Sequence, residues 1–184
     1  MRQPAERMPT ETLRIVQDPL GYYRPWRAAR TRLTGPQRGA LNRWLWQQHR
    51  LEPYSDVPLH QRDIGQQLLT GWARLPAAAY LMACAKHRSV LAGSPLYLQQ
   101  PPVVHAFLRL RFSESAQPLA LQHSDDLLCW GASYLLQGLQ GQVPGWLQQR
   151  MALWFSGLPL PPLPADHFDL SCFWSAWHHA SQLP

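Results

Sequence analysis

Helical spacing of the apolar residues is the dominant pattern of this chain. Apolar positions recur three and four residues apart, the spacing that places side chains on one face of a helix. The pattern predicts helices in residues 37–52, 63–72, 75–93, 103–112, 124–141, 144–157 and from about 166 to the end. The segment that starts at Leu75 begins with ten residues that are apolar on almost every side. We expect it to form the central, most buried helix.

Prolines stand where several of these helices should begin. Pro76, Pro102 and Pro144 each precede an apolar segment. Proline fits the first turn of a helix because its missing N–H would have had no partner there. Strand-like alternation is scarce, so the sequence predicts an all-α protein with a single compact domain of about six or seven short helices.

Residues 1–36 follow a different pattern. Helices of any length are interrupted there by Pro4, Pro9, Pro19, Pro25 and Pro36. Only Thr10 to Gln17 could form a short helix or strand. We therefore expect a basic, irregular arm over residues 1–36 and the helical domain over residues 37–184.

Helix starts and one linker can also be predicted from polar residues and prolines. Asp63, Ser124 and either Asp166 or Asp169 are suited to cap the helices that follow them. The run Leu158-Pro159-Leu160-Pro161-Pro162-Leu163-Pro164 should be an extended connector between two packed helices. The alternative for this run is a proline-rich ligand for a recognition domain.

The composition favours a core and a covered surface. Hydrophobic residues make up 46% of the 184 residues, and nine of them are Trp. Only 15% of the residues are charged, well below the usual quarter. This weakly charged surface, rich in aromatics, indicates that a partner covers part of it. The alternative is a poorly soluble monomer with an ordinary core.

Positive charge is concentrated near the N-terminus. The net charge is +6, and residues 1–50 hold ten Arg against Glu6, Glu11 and Asp18. In residues 22–27 the arginines alternate with aromatics. Three interpretations stay open: pairing with an acidic partner protein, a solvated mobile arm, and a nucleic-acid surface with Arg on phosphates and aromatic rings on bases. No clear helix-turn-helix pair supports the third.

Catalytic and metal-binding patterns are missing from the sequence. Cys84, Cys129 and Cys172 lie far apart in apolar segments, which is typical of buried thiols in a reducing compartment. No CxxC, HExxH or glycine-rich phosphate loop occurs. His178 and His179 are adjacent, so on a helix their side chains diverge by about 100°. We expect no enzyme activity, no metal and no cofactor.

No segment of the sequence resembles a membrane span or a signal peptide. The first residues lack an apolar stretch, and the longest apolar run, Leu75 to Ala85, is far shorter than the roughly 20 residues that cross a bilayer. We therefore expect a cytoplasmic protein without direct membrane insertion.

Two stretches of the chain resemble a known family. Trp72-Ala73-Arg74-Leu75-Pro76, followed by an apolar helix that ends in basic residues, resembles the core of the SctK (YscK/OrgA/HrpD-type) family of type III secretion accessory proteins. The stretches Leu127 to Ala132 and Val143 to Met151 are also similar. The resemblance covers about residues 40–157, and Ala83 stands where a glycine would be looked for in the central helix.

This resemblance implies a non-enzymatic cytoplasmic adaptor of the secretion sorting platform, peripheral to the inner membrane through its protein partners. It would link the cytoplasmic domain of the inner-membrane ring protein to the pod (C-ring) protein. For partner binding we select an N-terminal set and a C-terminal pair: Tyr22, Tyr23, Arg24, Trp26, Arg27, Arg30, Trp44 and Trp46, then Trp174 and Trp177. Core packing is the alternative for the last two, and a small basic nucleic-acid-binding regulator is the alternative function.

Overall fold

The computed structural model describes residues 10–56, 62–117, 119–163 and 168–183. These residues form nine α-helices and no strand, which confirms the all-α prediction. The helices are α1 (Thr10–Gln17), α2 (Gly35–Gln48), α3 (Arg62–Thr70), α4 (Leu75–Lys86), α5 (Arg88–Ala92), α6 (Pro102–Leu108), α7 (Ser124–Gly138), α8 (Gly145–Trp154) and α9 (Leu170–Ala180).

The helix count exceeds the predicted six or seven for two reasons. α1 forms within the segment predicted to be irregular, where Thr12, Ile15 and Val16 are buried along one face. The helix predicted over residues 75–93 is divided into α4 and α5 at His87, whose φ of −121° and ψ of 33° are not helical. The predicted cap at Asp63 and the predicted helix start at Asp166 lie outside the described side chains, whereas Asp169 is the N-cap of α9.

Short 3₁₀ turns connect α1 to α2. They cover Pro19–Gly21, Arg24–Trp26 and Arg30–Arg32. Pro19 starts the first turn, and Pro25 is the second residue of the second turn. Leu20 is fully buried in this segment. The predicted boundary between an arm and a helical domain at residue 36 stays a prediction.

The described residues divide into two compact units. The first unit combines the residues up to Trp72 with Val143–Ser156, so it contains α1, α2, α3 and α8. The second unit combines Ala73–Gln142 with the residues from Gly157 onward, so it contains α4 to α7 and α9.

α4 lies at the centre of the second unit. It packs against α6, α7 and α9, and Leu81 to His87 are buried without interruption. This confirms the prediction that the segment after Leu75 forms the most buried helix. The approach of α7 is close because Gly131 has no side chain: a Cβ there would lie 1.8 Å from the carbonyl oxygen of Ala79.

Polar side chains tie the ends of these helices together. Lys86, at the end of α4, donates from Nζ to Ser113 at 3.0 Å and pairs with Asp169 at 3.4 Å. The other carboxylate oxygen of Asp169 accepts the backbone N–H of Cys172 at 2.9 Å and so caps α9. A single carboxylate therefore holds the C-terminal end of α4 beside the N-terminal end of α9.

A charged cluster fixes the first 3₁₀ turn of the first unit to α2. Arg38 donates to both carboxylate oxygens of Asp18, with Nε at 3.0 Å from Oδ1. Asn42 donates to Asp18 at 2.8 Å and accepts the backbone N–H of Leu20 at 2.9 Å. Burial raises the pKa of Asp18, but the hydrogen bonds from Arg38 and Asn42 outweigh it, and the net shift is downward.

Candidate protein-interaction surface

Two tryptophans of the first unit form a stacked pair at the surface. Trp26 ends the second 3₁₀ turn, and Trp44 lies on α2. Their ring centroids are 5.8 Å apart, and the ring planes differ by 13°. The side chain of Trp44 is 43% exposed, and Trp26 is half-buried. These residues, called the tryptophan pair below, present a flat apolar surface to solvent.

The backbone and a third ring hold the tryptophan pair in place. The N–H groups of Trp26 and Arg27 donate to the carbonyl oxygens of Tyr23 and Arg24 at 3.3 and 3.1 Å. The buried ring of Tyr23 lies 6.5 Å from Trp26 and 5.6 Å from His49. Tyr23 therefore supports the pair from inside.

Tyr22 points into the first unit and away from solvent. Its hydroxyl donates to the carbonyl oxygen of Ile15 at 2.9 Å. Its ring meets Trp72 edge-on at 5.2 Å and lies 6.1 Å from Trp154. Burial raises the pKa of the Tyr22 phenol well above its usual value. Tyr22 connects the segment before α2 to the rest of the unit, and its predicted role in partner binding stays a prediction.

The predicted arginines differ in exposure. Arg27 is exposed, whereas Arg24 and Arg30 are half-buried. Arg30 donates from Nη1 to the carbonyl oxygen of Gly21, so its guanidinium helps to fix the 3₁₀ turn. Two further arginines near the tryptophan pair in sequence, Arg32 and Arg43, are exposed.

Trp46 takes part in a buried stack around Arg150 of α8. The Arg150 guanidinium carbon lies 4.8 Å from the Trp46 ring centroid and 5.5 Å from that of Trp146. Nη1 of Arg150 donates to the carbonyl oxygens of Glu52 and Trp146 at 3.0 and 2.9 Å. Arg150 is fully buried, and burial lowers the pKa of its guanidinium. The four-residue spacing from Trp146 to Arg150 was a sequence signal for this arrangement that we did not use.

The C-terminal pair divides between core and surface. Trp177 is 2% exposed, and its ring lies 5.9 Å from that of Phe173. Trp174 is half-buried, with its ring 4.8 Å from Phe173. The structure thus shows core packing for Trp177, and a partner-binding role for the two tryptophans stays a prediction.

The three cysteine thiols are buried. Cys84, Cys129 and Cys172 are free thiols in the interior, and burial raises the pKa of Cys84 and Cys172 to about 12. Such thiols are unreactive because the thiolate is the nucleophile. In the described part of the chain, no three His, Cys, Asp or Glu residues lie close enough together to hold a metal ion.

One open cleft in the second unit carries polar side chains. It has a volume of about 480 Å³ and is lined mainly by α5, α6 and the segment between them, including Arg88, Tyr97, His105 and Arg109. Arg88 is paired with Glu114 at 2.8 Å, and His105 packs edge-on against Tyr97 at 4.6 Å. Three of the four named side chains, Arg88, Tyr97 and His105, therefore already have contacts within the protein.

A comparison with models of protein families identifies the family of this chain. The model for bacterial type III secretion apparatus proteins of the OrgA and MxiK type matches residues 12–182. The chain belongs to this family. The resemblance to the SctK family is thereby confirmed, and the match extends beyond residues 40–157 to include the tryptophan pair and α9.

Curated members of the family give the same result. The chain is 29% identical over 186 residues to the oxygen-regulated invasion protein OrgA of Salmonella typhimurium strains 14028s, SL1344 and LT2. The alignment covers 100% of this chain and 92% of each relative. No solved structure matches the chain. Among the described helices of this family member, none is long and apolar enough to cross a bilayer.

Proposed function

We propose that this protein is a non-enzymatic adaptor of the type III secretion sorting platform. It binds the cytoplasmic domain of the inner-membrane ring protein and the pod (C-ring) protein, and these partners hold it in the cytoplasm at the inner membrane. The observation that carries the proposal is the family match over residues 12–182.

The distribution of side chains supports a binding role. The three thiols are buried, and burial raises the pKa of Cys84 and Cys172 to about 12, whereas Trp44 lies at the surface and is 43% exposed. Tryptophan and arginine are the residues that most often carry the energy of protein interfaces. An adaptor needs such surfaces on a rigid body and needs no reactive group.

Reconstitution with both partners tests this proposal. The full chain, the cytoplasmic ring domain and the pod protein are co-expressed and separated by size-exclusion chromatography with light scattering. We expect a complex of all three proteins, and we expect no complex of the ring domain with the pod protein when this chain is left out. The adaptor role would be contradicted if the chain bound neither of these two proteins.

The basic segment keeps nucleic-acid binding as the second candidate function. Residues 19–51 contain seven Arg and no Asp or Glu, and an exposed Trp could stack on a base. Binding to random-sequence DNA is measured over a range of salt concentrations. A steep decrease of affinity with salt, lost when Arg24, Arg27 and Arg30 become Ala, would support a nucleic-acid regulator. For an adaptor we expect no measurable affinity at physiological salt.

A further inference from the structure

We propose that the tryptophan pair and the exposed arginines Arg27, Arg32 and Arg43 form a docking surface for an acidic segment of one secretion-apparatus protein. An aliphatic side chain of that segment packs on the stacked rings, and its carboxylates pair with the arginines. This inference rests on the proposed adaptor function and specifies the chemistry of one of its partners.

The charge of the first unit favours an acidic partner. Residues 19–51 carry seven Arg and no acid. Because the whole chain has a net charge of +6, all the remaining residues together sum to about −1. The positive potential therefore originates in one segment of 33 residues. An acidic segment would be steered to it.

Part of this charge is used inside the protein, and the remainder identifies the docking residues. Arg38 is paired with Asp18, and Arg30 donates to the backbone at Gly21. Arg27, Arg32 and Arg43 are exposed and form no ion pair with an acid of the described ranges. These three guanidinium groups are available to bind carboxylates in bidentate geometry.

Two of these arginines are sequence neighbours of the tryptophan pair. Arg27 follows Trp26 directly, and Arg43 directly precedes Trp44. A surface formed by these residues would combine apolar rings with charged side chains, as protein interfaces usually do. Support from the Tyr23 ring and from the backbone hydrogen bonds of the 3₁₀ turn pre-organises the surface, so binding loses little conformational entropy.

The tryptophan pair leaves an outer apolar surface for the acidic segment. The two ring centroids are 5.8 Å apart and the ring planes differ by 13°, so the rings are slipped and overlap only in part. Trp44 is 43% exposed, and its outer face and ring edges can therefore accept an aliphatic side chain of that segment.

Matched pairs of variants test the docking surface. Trp44→Ala is compared with Leu98→Ala, which removes an 85% exposed side chain in the second unit. The triple reversal Arg27→Glu, Arg32→Glu and Arg43→Glu is compared with the reversal of three other exposed arginines. The control positions are Arg74, Arg109 and Arg111. The two triple variants change the net charge equally, so a difference between them reports position and not total charge.

Affinities for the ring domain and the pod protein are measured by titration calorimetry at low and high salt. We expect Trp44→Ala to weaken binding of one partner by about 30-fold or more. The triple reversal at Arg27, Arg32 and Arg43 should weaken the binding of the same partner and remove the salt dependence of that affinity. Both controls should stay within about threefold of the unaltered chain, and thermal unfolding by circular dichroism checks that each variant is folded.

Each outcome separates this inference from the adaptor proposal. If the unaltered chain binds neither protein, the adaptor proposal fails. If it binds a partner, and the docking-surface variants bind that partner as tightly as the controls do, the docking surface is refuted and the adaptor function stands. If the docking-surface variants lose affinity only for random-sequence DNA, the surface binds nucleic acid and the inference is equally wrong.

Discussion

Replacement of Gly131 by alanine tests the close contact between α7 and α4 in the second unit. An ideal Cβ at this position would lie 1.8 Å from the carbonyl oxygen and 2.4 Å from the carbonyl carbon of Ala79. Real Cβ atoms essentially never approach another heavy atom within 3.0 Å. α7 and α4 must therefore separate by about 1.2 Å at this point. The obstacle is backbone, so no side-chain rotation can relieve the clash.

The size of the effect follows from the contacts that this separation weakens. Leu127 and Leu135 lie one turn before and after Gly131 on the same face of α7, and both are fully buried. A gap of 0.5–1 Å removes about a quarter to a half of a dispersion contact, and a buried Leu makes about 40–60 contacts worth ~0.1–0.2 kcal/mol each. Central values give a loss of about 2–4 kcal/mol for each leucine, against about 1 kcal/mol gained from helix propensity. We expect a net destabilisation of about 3 kcal/mol or more.

A second glycine supplies the control. Gly39 lies inside α2, where an added Cβ meets nothing within 4 Å. Gly39→Ala should therefore stabilise the protein by about 0.5–1 kcal/mol, because only helix propensity and chain entropy change. Urea unfolding followed by circular dichroism gives both values. The close-contact explanation is wrong if Gly131→Ala is as stable as the unaltered chain, or if both variants shift in the same direction.

Variants at three further positions test the buried polar residues Arg150 and His87 and the helix cap at Asp169. Arg150→Ala should destabilise the protein by about 3–5 kcal/mol in urea unfolding, because it removes a fully buried side chain and both of its hydrogen bonds to carbonyl groups; Arg150→Lys should recover only part of this. Burial lowers the pKa of His87 from 6.5 to about 4. Between these two pH values the unfolded chain therefore binds more protons than the folded chain. The free energy of unfolding decreases as the pH falls through this range, by up to about 3 kcal/mol. His87→Phe should flatten the pH dependence of the free energy of unfolding between pH 4 and 6.5. If the slope is unchanged, His87 is not the cause of this pH dependence. Asp169→Ala should cost about 1–2 kcal/mol for the lost cap of α9, whereas Asp169→Asn retains the cap acceptor and loses only the pairing with Lys86; equal losses would contradict the capping role.

The helices were predictable because periodicity and proline placement are local properties of the sequence. Pro102 starts α6, and Pro144 is the N-cap of α8. The division at His87 was not predictable, because its cause lies in another helix. The His87 ring is buried, its Nε2 lies 3.0 Å from the hydroxyl of Tyr134, and its ring meets that of Trp130 at 5.0 Å. These contacts from α7 stabilise His87 in its non-helical conformation.

The selection of aromatic residues shows the corresponding limit for the candidate site. Residues 22–46 were chosen because they combine rings and arginines, and Trp44 lies at the surface. Tyr22 and Trp177 have the same composition-based signal, but they are buried. The sequence provides the hydrophobicity of a ring and not the direction in which it points, because that direction depends on which helices pack beside it.

The arginines illustrate why charge counts alone do not locate an interface. Arg150 is enclosed by two indole rings and two carbonyl oxygens, Arg38 is paired with Asp18, and Arg27 is exposed. A buried guanidinium has already lost its hydration and contributes to folding, and a paired one is neutralised over short distances. Only an exposed, uncompensated guanidinium retains a field that reaches a partner in solution. The exposed arginines Arg27, Arg32 and Arg43 are therefore expected to affect association, whereas Arg150 and Arg38 are expected to affect stability.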